Sequence, residues 1–569
     1  MIAKGLWMKY LPSQLIYFSQ NKTMRKNLRN LRTFLIVIAA AITVYSMLFH
    51  FIMEYEGREY SWITGFYWTL TVMSTLGFGD ITFTSDLGLV FSMIVLLSGI
   101  VFLLIMLPFT FIRFFYAPWL ESQAQSRTPR ELPEGTENHI IMTNYEPIAM
   151  SLIRKLNQYD FNYAVAVQDT QAAADLLDIN VKVVIGELDK PETYRRLRVE
   201  KAALVFVNNN DMLNTNIIAT IREVSESVPI ITNADAYDSI DILELAGATH
   251  VFQFTRMLGV TMAQHALGVS AQANIVGTLG GILIAEAYAA RTPYEGKELI
   301  KSGLREKTGI IVVGIWQRGK FEIPRPQTVI HPDSILLLAG SEDQFRRYDD
   351  FVGSSRTFEA PVVILGGGRV GQAAADTLEE LGIDYRVVEK NRNSIKDSNK
   401  YIIGDAADIH ALERAGISAE SPSVLITTHN DDINIYLTIY CRELRPNIQI
   451  ISRAIRDRNI SKLYSIGADI VMSYASMGAN KILNLLKPDE ILMLAEGLNV
   501  FKARVPASLI GKTLAENKIR RKTGCNVIAI RSDDSFNVNP DPTVQLKNTE
   551  ELILIGTAEA ENEFKKAFS

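Results

Sequence analysis

The sequence predicts a two-span α-helical membrane domain followed by two α/β domains. Each α/β domain is a Rossmann-like lobe with a helical joint and a small β-rich C-terminal lobe. Three observations predict this. Residues 31–55 and 87–116 are almost free of charge. After residue 138 short Val/Ile runs alternate with amphipathic helical stretches, as in βαβ units with a parallel sheet. That second region also reads twice over. The 569 residues are enough for several domains, since one typically holds about 100–200. A net charge of -5 without long basic runs argues against nucleic acid as the main partner. The two cysteines, Cys441 and Cys525, exclude a disulfide framework or a CxxC metal site and read as buried or incidental thiols.

The first span, 31–55, opens on "LRTFLIVIAAAITVYSMLFHFIM", roughly 20 mainly apolar residues, enough to cross a bilayer as a helix. It is too long and too far from the start for a signal-peptide core. Residues 1–30 read as a cytoplasmic or interfacial segment. Within them 1–21 carry Trp7, Tyr10, Tyr17 and Phe18, which suit either an amphipathic interfacial helix or a disordered tail. The second span, 87–116, is longer than a crossing needs and is expected to tilt, bend or run into water. Its weak points, and so its gate or hinge candidates, are Gly99 and Pro108. Proline removes a helix hydrogen bond, while Gly99 serves either as a hinge or for close helix packing. Lys22, Arg25, Lys26, Arg29 and Arg32 precede the first span and Arg113 ends the second, whereas the loop between is acidic. Positive-inside bias places both termini in the cytoplasm, with the protein multi-pass in the cell membrane and in contact with its lipid. No Arg-rich helix precedes the spans, so steep voltage sensing is not expected.

Between the spans, "SWITGFYWTLTVMST" (61–75) is apolar and aromatic but too short to cross, which fits a re-entrant helix. Non-helical backbone at membrane depth is tolerated only where protein buries it or water lines it. The glycine hairpin that follows must therefore face a pore or a packed core. That hairpin, Thr75-Leu76-Gly77-Phe78-Gly79-Asp80, resembles the selectivity filter of potassium channels, where four copies of a TVGYG strand present carbonyls in place of the ion's hydration shell. Its glycines permit the positive φ that lets alternate residues aim carbonyls at one axis. Leu76 and Phe78 depart from the commoner Val and Tyr. Their side chains point away from the axis in that family, and Phe78 has no hydroxyl to donate. The resemblance implies a pore domain over 31–120, K⁺ as the permeant ion and a homotetramer. A gated non-selective cation pore would differ only at the filter.

Residues 121–138 are polar and proline-containing and read as a linker. Beyond it, "VVIGELDKPETYRRLRVEKAALVFV" parallels "YIIGDAADIHALERAGISAESPSVLIT", and "LELAGATHVF" parallels "LYSIGADIVM". Later, "REKTGIIVVGIW" parallels "RRKTGCNVIAIR". The joints are expected at about 254–290 and 477–494. This repeat resembles the RCK domain, the regulator of K⁺ conductance, with one copy over 139–342 and a second over 358–569. In that family eight such domains form a ring beneath the pore, and ligands that reshape the ring pull the inner helices. Two copies per chain imply a ligand-gated channel that needs no separate ring subunits.

The second copy carries a nucleotide signature. In "PVVILGGGRVGQAAADTLEELGIDYRVVEKN" a strand enters Gly366-x-Gly368-x-x-Gly371, a helix follows, and a second strand ends at Glu389. Gly366 suits a tight turn, Gly368 a close approach of pyrophosphate, and Gly371 helix–strand packing, with phosphate at the helix N-terminus. Arg369 inside the loop is placed for phosphate, with Val370 beside it. Glu389, followed by Lys390, could take ribose hydroxyls. The resemblance adds Asp405 and Ala406 beside an adenine, Thr427, Thr428 and His429 at a strand end, and Arg453 near the ligand. The ligand class is NAD or an adenine nucleotide such as ADP or ATP; a fingerprint kept only for packing is the alternative.

The first copy has Thr143, Asn144, Tyr145 and Pro147 where glycines would be, so no nucleotide is expected there in the usual way. It carries Glu187, Asp211 and Asp235, and the last two fall near positions where calcium-gated relatives place carboxylates. They read either as a Ca²⁺ site or as solvated surface acids, with Asp431 and Asp432 of the second copy as a competing divalent site. A fused NAD-dependent oxidoreductase would use the same glycine loop. No convincing catalytic set accompanies it, His410 and His429 being the nearest candidates, so no enzymatic activity is expected.

Overall fold

The computed structural model describes residues 22–116, 128–266, 273–279, 281–289, 292–317, 320–332, 334–353, 361–392, 399–418, 423–487, 491–494, 498–532, 535–538 and 540–568. The expected interfacial segment 1–21 and linker residues 121–127 lie outside the described residues. Two compact units divide the chain, one of residues 1–129 with 168–185, the other of 130–167 with 186–569.

In the first unit a helix runs Lys22–Tyr55, with its apolar part Leu31–Tyr55 at mean hydropathy 2.3. A second apolar stretch, Asp86–Phe111, reaches 2.9. Only 22% and 17% of these stretches are buried within the chain, which a soluble core helix would not tolerate. Between them lies the short helix Trp62–Met73. It starts where the Ser61 hydroxyl accepts the Thr64 amide at 3.3 Å, satisfying one orphan donor of the first turn. An aromatic cluster holds it. The Trp68 ring lies 5.1 Å from those of Phe49 and Phe83 and 5.7 Å from Phe91, uniting both spans and the hairpin exit.

The second span begins at Ser85, whose hydroxyl accepts the Gly88 amide at 3.1 Å. It is α-helical over Asp86–Gly99 and widens to a π-helix over Ile100–Met106. It returns to α over Leu107–Phe111 and widens again over Ile112–Tyr116. Pro108 has no N–H to donate, and just before it the Leu107 amide reaches back five residues to the Phe102 carbonyl. Gly99, the last α residue, serves close packing in this conformation. A Cβ there would fall 2.3 Å from the Met73 carbonyl oxygen at the end of the short helix.

In the larger unit the second Rossmann lobe is a six-stranded parallel sheet. Its spatial order is Tyr401–Ile403, Tyr385–Glu389, Val362–Leu365, Ser423–Ile426, Gln449–Ala454 and Ile470–Ser473. The first lobe repeats the last five places of that order over Tyr163–Val167, Ile140–Met142, Leu204–Val207, Ile230–Asn233 and His250–Phe252. Each central strand is buried along its length, as a strand covered by helices on both faces must be.

The two copies embrace through their joint helices. Helix Phe254–Ala266 of the first copy places Leu258, Met262 and Ala266 in the core of the second lobe, beside Val362, Val370 and Leu378. The reciprocal helix Tyr474–Leu486 brings Gly478 against Ile148 of the first lobe. The first joint is shorter than expected. Residues Asn274–Leu279 and Ile282–Tyr288 pair as strands of the small lobe, because their alternating apolar face closes its core. The two small lobes are five-stranded antiparallel sheets that share one core, Leu279, Ile284 and Leu337 meeting Leu492, Val500 and Ile553.

The expected end of the first copy at 342 also falls short. Helix Glu342–Val352 starts there, and its Phe345 and Tyr348 are buried in that lobe. The C-terminal part of the expected linker is tied down, with the Leu132 amide bonded to the Arg196 carbonyl and the Asn138 amide to that of Lys201. Both cysteines are buried and unpaired.

Candidate functional site

The hairpin after the short helix has an alternating backbone. Thr75, Gly77 and Gly79 have φ of 63°, 44° and 75°, while Leu76 and Phe78 between them do not enter that region. Glycine takes positive φ at little cost; Thr75 is held there by its surroundings. The Gly77 amide bonds back to the Thr71 carbonyl at 3.1 Å. Leu76 and Phe78 are exposed, and the Phe78 ring stacks on Tyr67 of the short helix at 6.5 Å and 5°. The Tyr67 hydroxyl donates to Asp80 at 3.1 Å, and the Trp68 indole N–H donates to the Ile81 carbonyl at 3.1 Å. Two side chains of the short helix thus pin the strand just after its last glycine. Outside the spans, Glu56 accepts the Ser85 hydroxyl at 2.6 Å and the amides of Ser85 and Thr84 at 2.8 and 3.0 Å. Those bonds, Ser85 foremost, pull its carboxyl down to about 2 and hold the entry of the second span.

The sequence-predicted nucleotide residues come together around one cavity of about 940 Å³. Strand Val362–Leu365 delivers the chain to Gly366, whose φ of +110° turns it sharply. The Thr427 hydroxyl donates to the Gly366 carbonyl at 2.8 Å, joining two adjacent strand ends. Gly371 faces that turn from the following helix, where a Cβ would stand 1.8 Å from the Gly366 carbonyl oxygen. Gly368 has open space around its Cβ position and leads into helix Arg369–Glu380 with no side-chain cap. The first-turn amides of that helix are therefore available to an anion.

Around this loop Arg369, Val370, Glu389, Lys390, Asp405, Ala406, Thr428, His429 and Arg453 line the cavity. Glu389 accepts the amides of Gly367 and Asn391 at 2.5 and 2.6 Å, which fixes it across the loop. Asp405 accepts the Ala407 amide at 3.0 Å and lies 3.4 Å from the Lys390 ammonium. The Ala407 bond, then Lys390, holds its carboxyl below the usual range. Arg453 is 3% exposed. It sits over the Tyr474 ring at 5.4 Å and reaches His429 Nδ1 at 3.4 Å, and its Nε finds no partner among the described residues. Burial, then the cations of Arg453 and Arg369, pushes the His429 imidazole down. The cavity is thus electropositive where the glycine loop ends.

Sequence reasoning missed Thr255, Gln372, Asn391 and Tyr436 in the lining. Tyr436 lies on helix Asp431–Leu444 about one turn after Asp432 and Ile433, so helical spacing from the strand end would have found it. Thr255 belongs to the first copy's joint helix, and no local signal carries it. In the first copy the glycine positions are filled by its own contacts. Asn209 donates to the Thr143 hydroxyl at 2.7 Å, and Asn144 to the Asn208 carbonyl at 3.1 Å.

The structure does not gather Glu187, Asp211 and Asp235 as cation ligands. Glu187 pairs with Lys190 at 2.7 Å. Asp211 accepts the amides of Asp235 and Ala236 at 2.8 and 3.0 Å, and its counterpart Asp431 accepts those of Ile455 and Arg456 at 2.7 and 3.1 Å. Both therefore clamp a turn, because their carboxylate oxygens face backbone donors. Asp235 forms an ion pair with Arg369, while Asp432 lines the glycine-loop cavity. Among the described residues no group of three or more His, Cys, Asp or Glu could hold a metal ion. His410 stands outside the cavity beside Glu413, at 3.4 Å.

Residues 33–116 match the ion-channel family model. Residues 140–254 and 362–474 match the TrkA-N domain, and residues 288–353 and 500–569 match the TrkA-C domain. A solved structure of the GsuK channel is 36% identical with a TM-score of 0.57, covering 95% of this chain and 99% of that one. A structure of the GsuK channel bound to NAD is 35% identical with the same TM-score and coverage. Two proteins of Methanocaldococcus jannaschii are also similar. Probable potassium channel protein 2 is 27% identical over 245 residues, 39% of this chain and 71% of that protein. Potassium channel protein 1 is 22% identical over 325 residues, 56% of this chain and 96% of that protein.

Fold and sites together define an ion-channel pore joined to doubled regulatory domains. The chain belongs to the family of potassium channels with tandem RCK domains that includes the GsuK channel.

Proposed function

We propose that four copies of the chain form a K⁺ pore whose opening is set by a nucleotide bound in the second RCK copy. The single observation that carries the ligand reading is the 940 Å³ cavity, in which an uncapped helix N-terminus, Arg369 and the half-paired Arg453 converge on the glycine loop. A solved relative of the same architecture is described as bound to NAD, which supports NAD or an adenine nucleotide, ADP or ATP, as the ligand class. In this reading Thr75 to Asp80 of each subunit supply one strand of a four-fold filter. Gly99 and Pro108 are the gate or hinge positions of the inner helix. The tandem domains form the ring, both termini are cytoplasmic, and the lobes act as sensors without catalysis. A ligand shifts opening only by its different affinity for the two ring shapes.

The test is single-channel recording from the full chain in a lipid bilayer. NAD, ADP, ATP and Ca²⁺ are applied in turn to the ring side, and the wild type is compared with Gly368→Asp. A carboxylate at Gly368 would face the phosphates, so the nucleotide response should vanish while K⁺ conductance persists. An unchanged response in Gly368→Asp would sink the site. A reversal potential that ignores K⁺/Na⁺ exchange would leave a non-selective pore, and steady NADH turnover by purified protein would restore the oxidoreductase reading.

A further inference from the structure

The phosphate arginine of the glycine loop is already engaged by the first copy. Arg369 pairs with Asp235, two residues past the strand Ile230–Asn233 of the first lobe, with side chains 53% and 41% exposed. Asp235 is held in place from behind, because its amide and that of Ala236 are bonded to Asp211. The corresponding clamp of the second copy, Asp431, fixes Ile455 and Arg456, so Ile455 stands at the place of Asp235 there, and the acid of that turn, Asp457, pairs with Arg154 of the first copy. Glu146, which enters the first copy's degenerate loop, is also close enough to feel Asp235. Burial first, then that carboxylate, raises its pKa. Around Arg369 the same cavity holds Arg453, buried with its Nε unpartnered among the described residues, and His429, both repelled by Arg369.

We propose that Asp235 is an internal competitor of the nucleotide phosphate. It holds Arg369 while the site is empty and surrenders it when an anion arrives at the helix N-terminus. The proposal rests on the nucleotide reading above. Its physics is an exchange of partners. Without ligand, Asp235 supplies the negative charge that Arg369, Arg453 and His429 lack among themselves. A phosphate supplies that charge better, since the loop amides also bind it. Asp235 is then released beside Glu146, and the contact between the two lobes loses an attraction at the point where ligand bound. Binding and lobe contact are therefore coupled, and the coupling acts equally in both directions. Whatever moves the first lobe away from Arg369 also tightens nucleotide.

The experiment is titration of ADP and of NAD into the detergent-solubilised full chain at low salt. Asp235→Asn should bind about two- to fivefold more tightly, the range an exposed ion pair permits, with the gain shrinking as salt is raised. Asp238→Asn removes a nearby exposed charge that is not on Arg369 and should leave affinity unchanged. In an Arg369→Gln background, Asp235→Asn should have no effect. Equal tightening by both aspartate variants would mean a general charge effect and overturn the competition. Unchanged or weaker binding by Asp235→Asn, with Gly368→Asp abolishing binding, would overturn it while leaving the nucleotide site intact. Wild-type binding by Gly368→Asp would remove the site and this proposal together.

Discussion

At the residue scale the chemistry sits in a few side chains whose environments are unlike those of their sequence neighbours. Arg453 and His429 lie at adjacent strand ends of one sheet, and among the described residues neither has a carboxylate bonded to it. The His429 pKa is lowered by burial and by Arg453 and Arg369, with Asp431 opposing weakly, so the empty site favours the neutral ring at neutral pH. A bound phosphate would offset the two cations and raise that pKa. Binding should therefore take up a proton, and ADP affinity should rise as pH falls from about 7.5 to about 5.5 through the histidine range. Calorimetry in buffers of different ionisation enthalpy measures the proton directly, and His429→Gln should flatten the profile. A wild-type profile already flat would refute the coupling. The glycine loop was legible in the sequence at this scale, because Gly366, Gly368 and Gly371 each answer a local backbone need. The Arg369–Asp235 pair was not, since 134 residues of chain separate its partners and no periodicity links them.

Among the elements, the second span shows how composition and geometry divide the work. Its apolar run and its excess length were plain in the sequence. The two π segments were not, because an i→i+5 register depends on where the helix is held, and no residue preference encodes it strongly. Gly99 stands at the first change of register and against the Met73 carbonyl. Gly99→Ala should push the second span away from the end of the short helix by a few tenths of an ångström or more. The expected result is a lower yield of assembled channel together with an altered open probability in recordings without ligand. Assembly and gating both like wild type would show that the contact yields freely. Overpacking of this kind typically costs about 1–3 kcal/mol.

For the whole molecule, duplication is the organising fact. Each Rossmann lobe borrows a helix from the other copy to finish its core, with Gly259 and Gly478 at the two crossings. A Cβ at Gly259 would lie 2.4 Å from the Val370 carbonyl, one residue into the helix that opens at the glycine loop. Gly259→Leu, a change in the copy without the fingerprint, should thus weaken nucleotide binding in the other copy by tenfold or so, about 1.4 kcal/mol, and lower the melting temperature. Binding equal to wild type in a folded variant would mean that the loop is indifferent to its neighbour. Sequence alone was enough for the two apolar spans, the short helix between them, the glycine hairpin after it, the repeat and the glycine loop. These follow from apolar length, residue period and positive-φ demand, all of which act locally along the chain. It took the tertiary fold to make the first joint short, to bring Thr255 to the cavity, and to engage Asp235 in an ion pair and Asp211 in a turn clamp. Those outcomes depend on which distant surfaces meet, and burial of a shared apolar core selects that meeting without leaving a local mark.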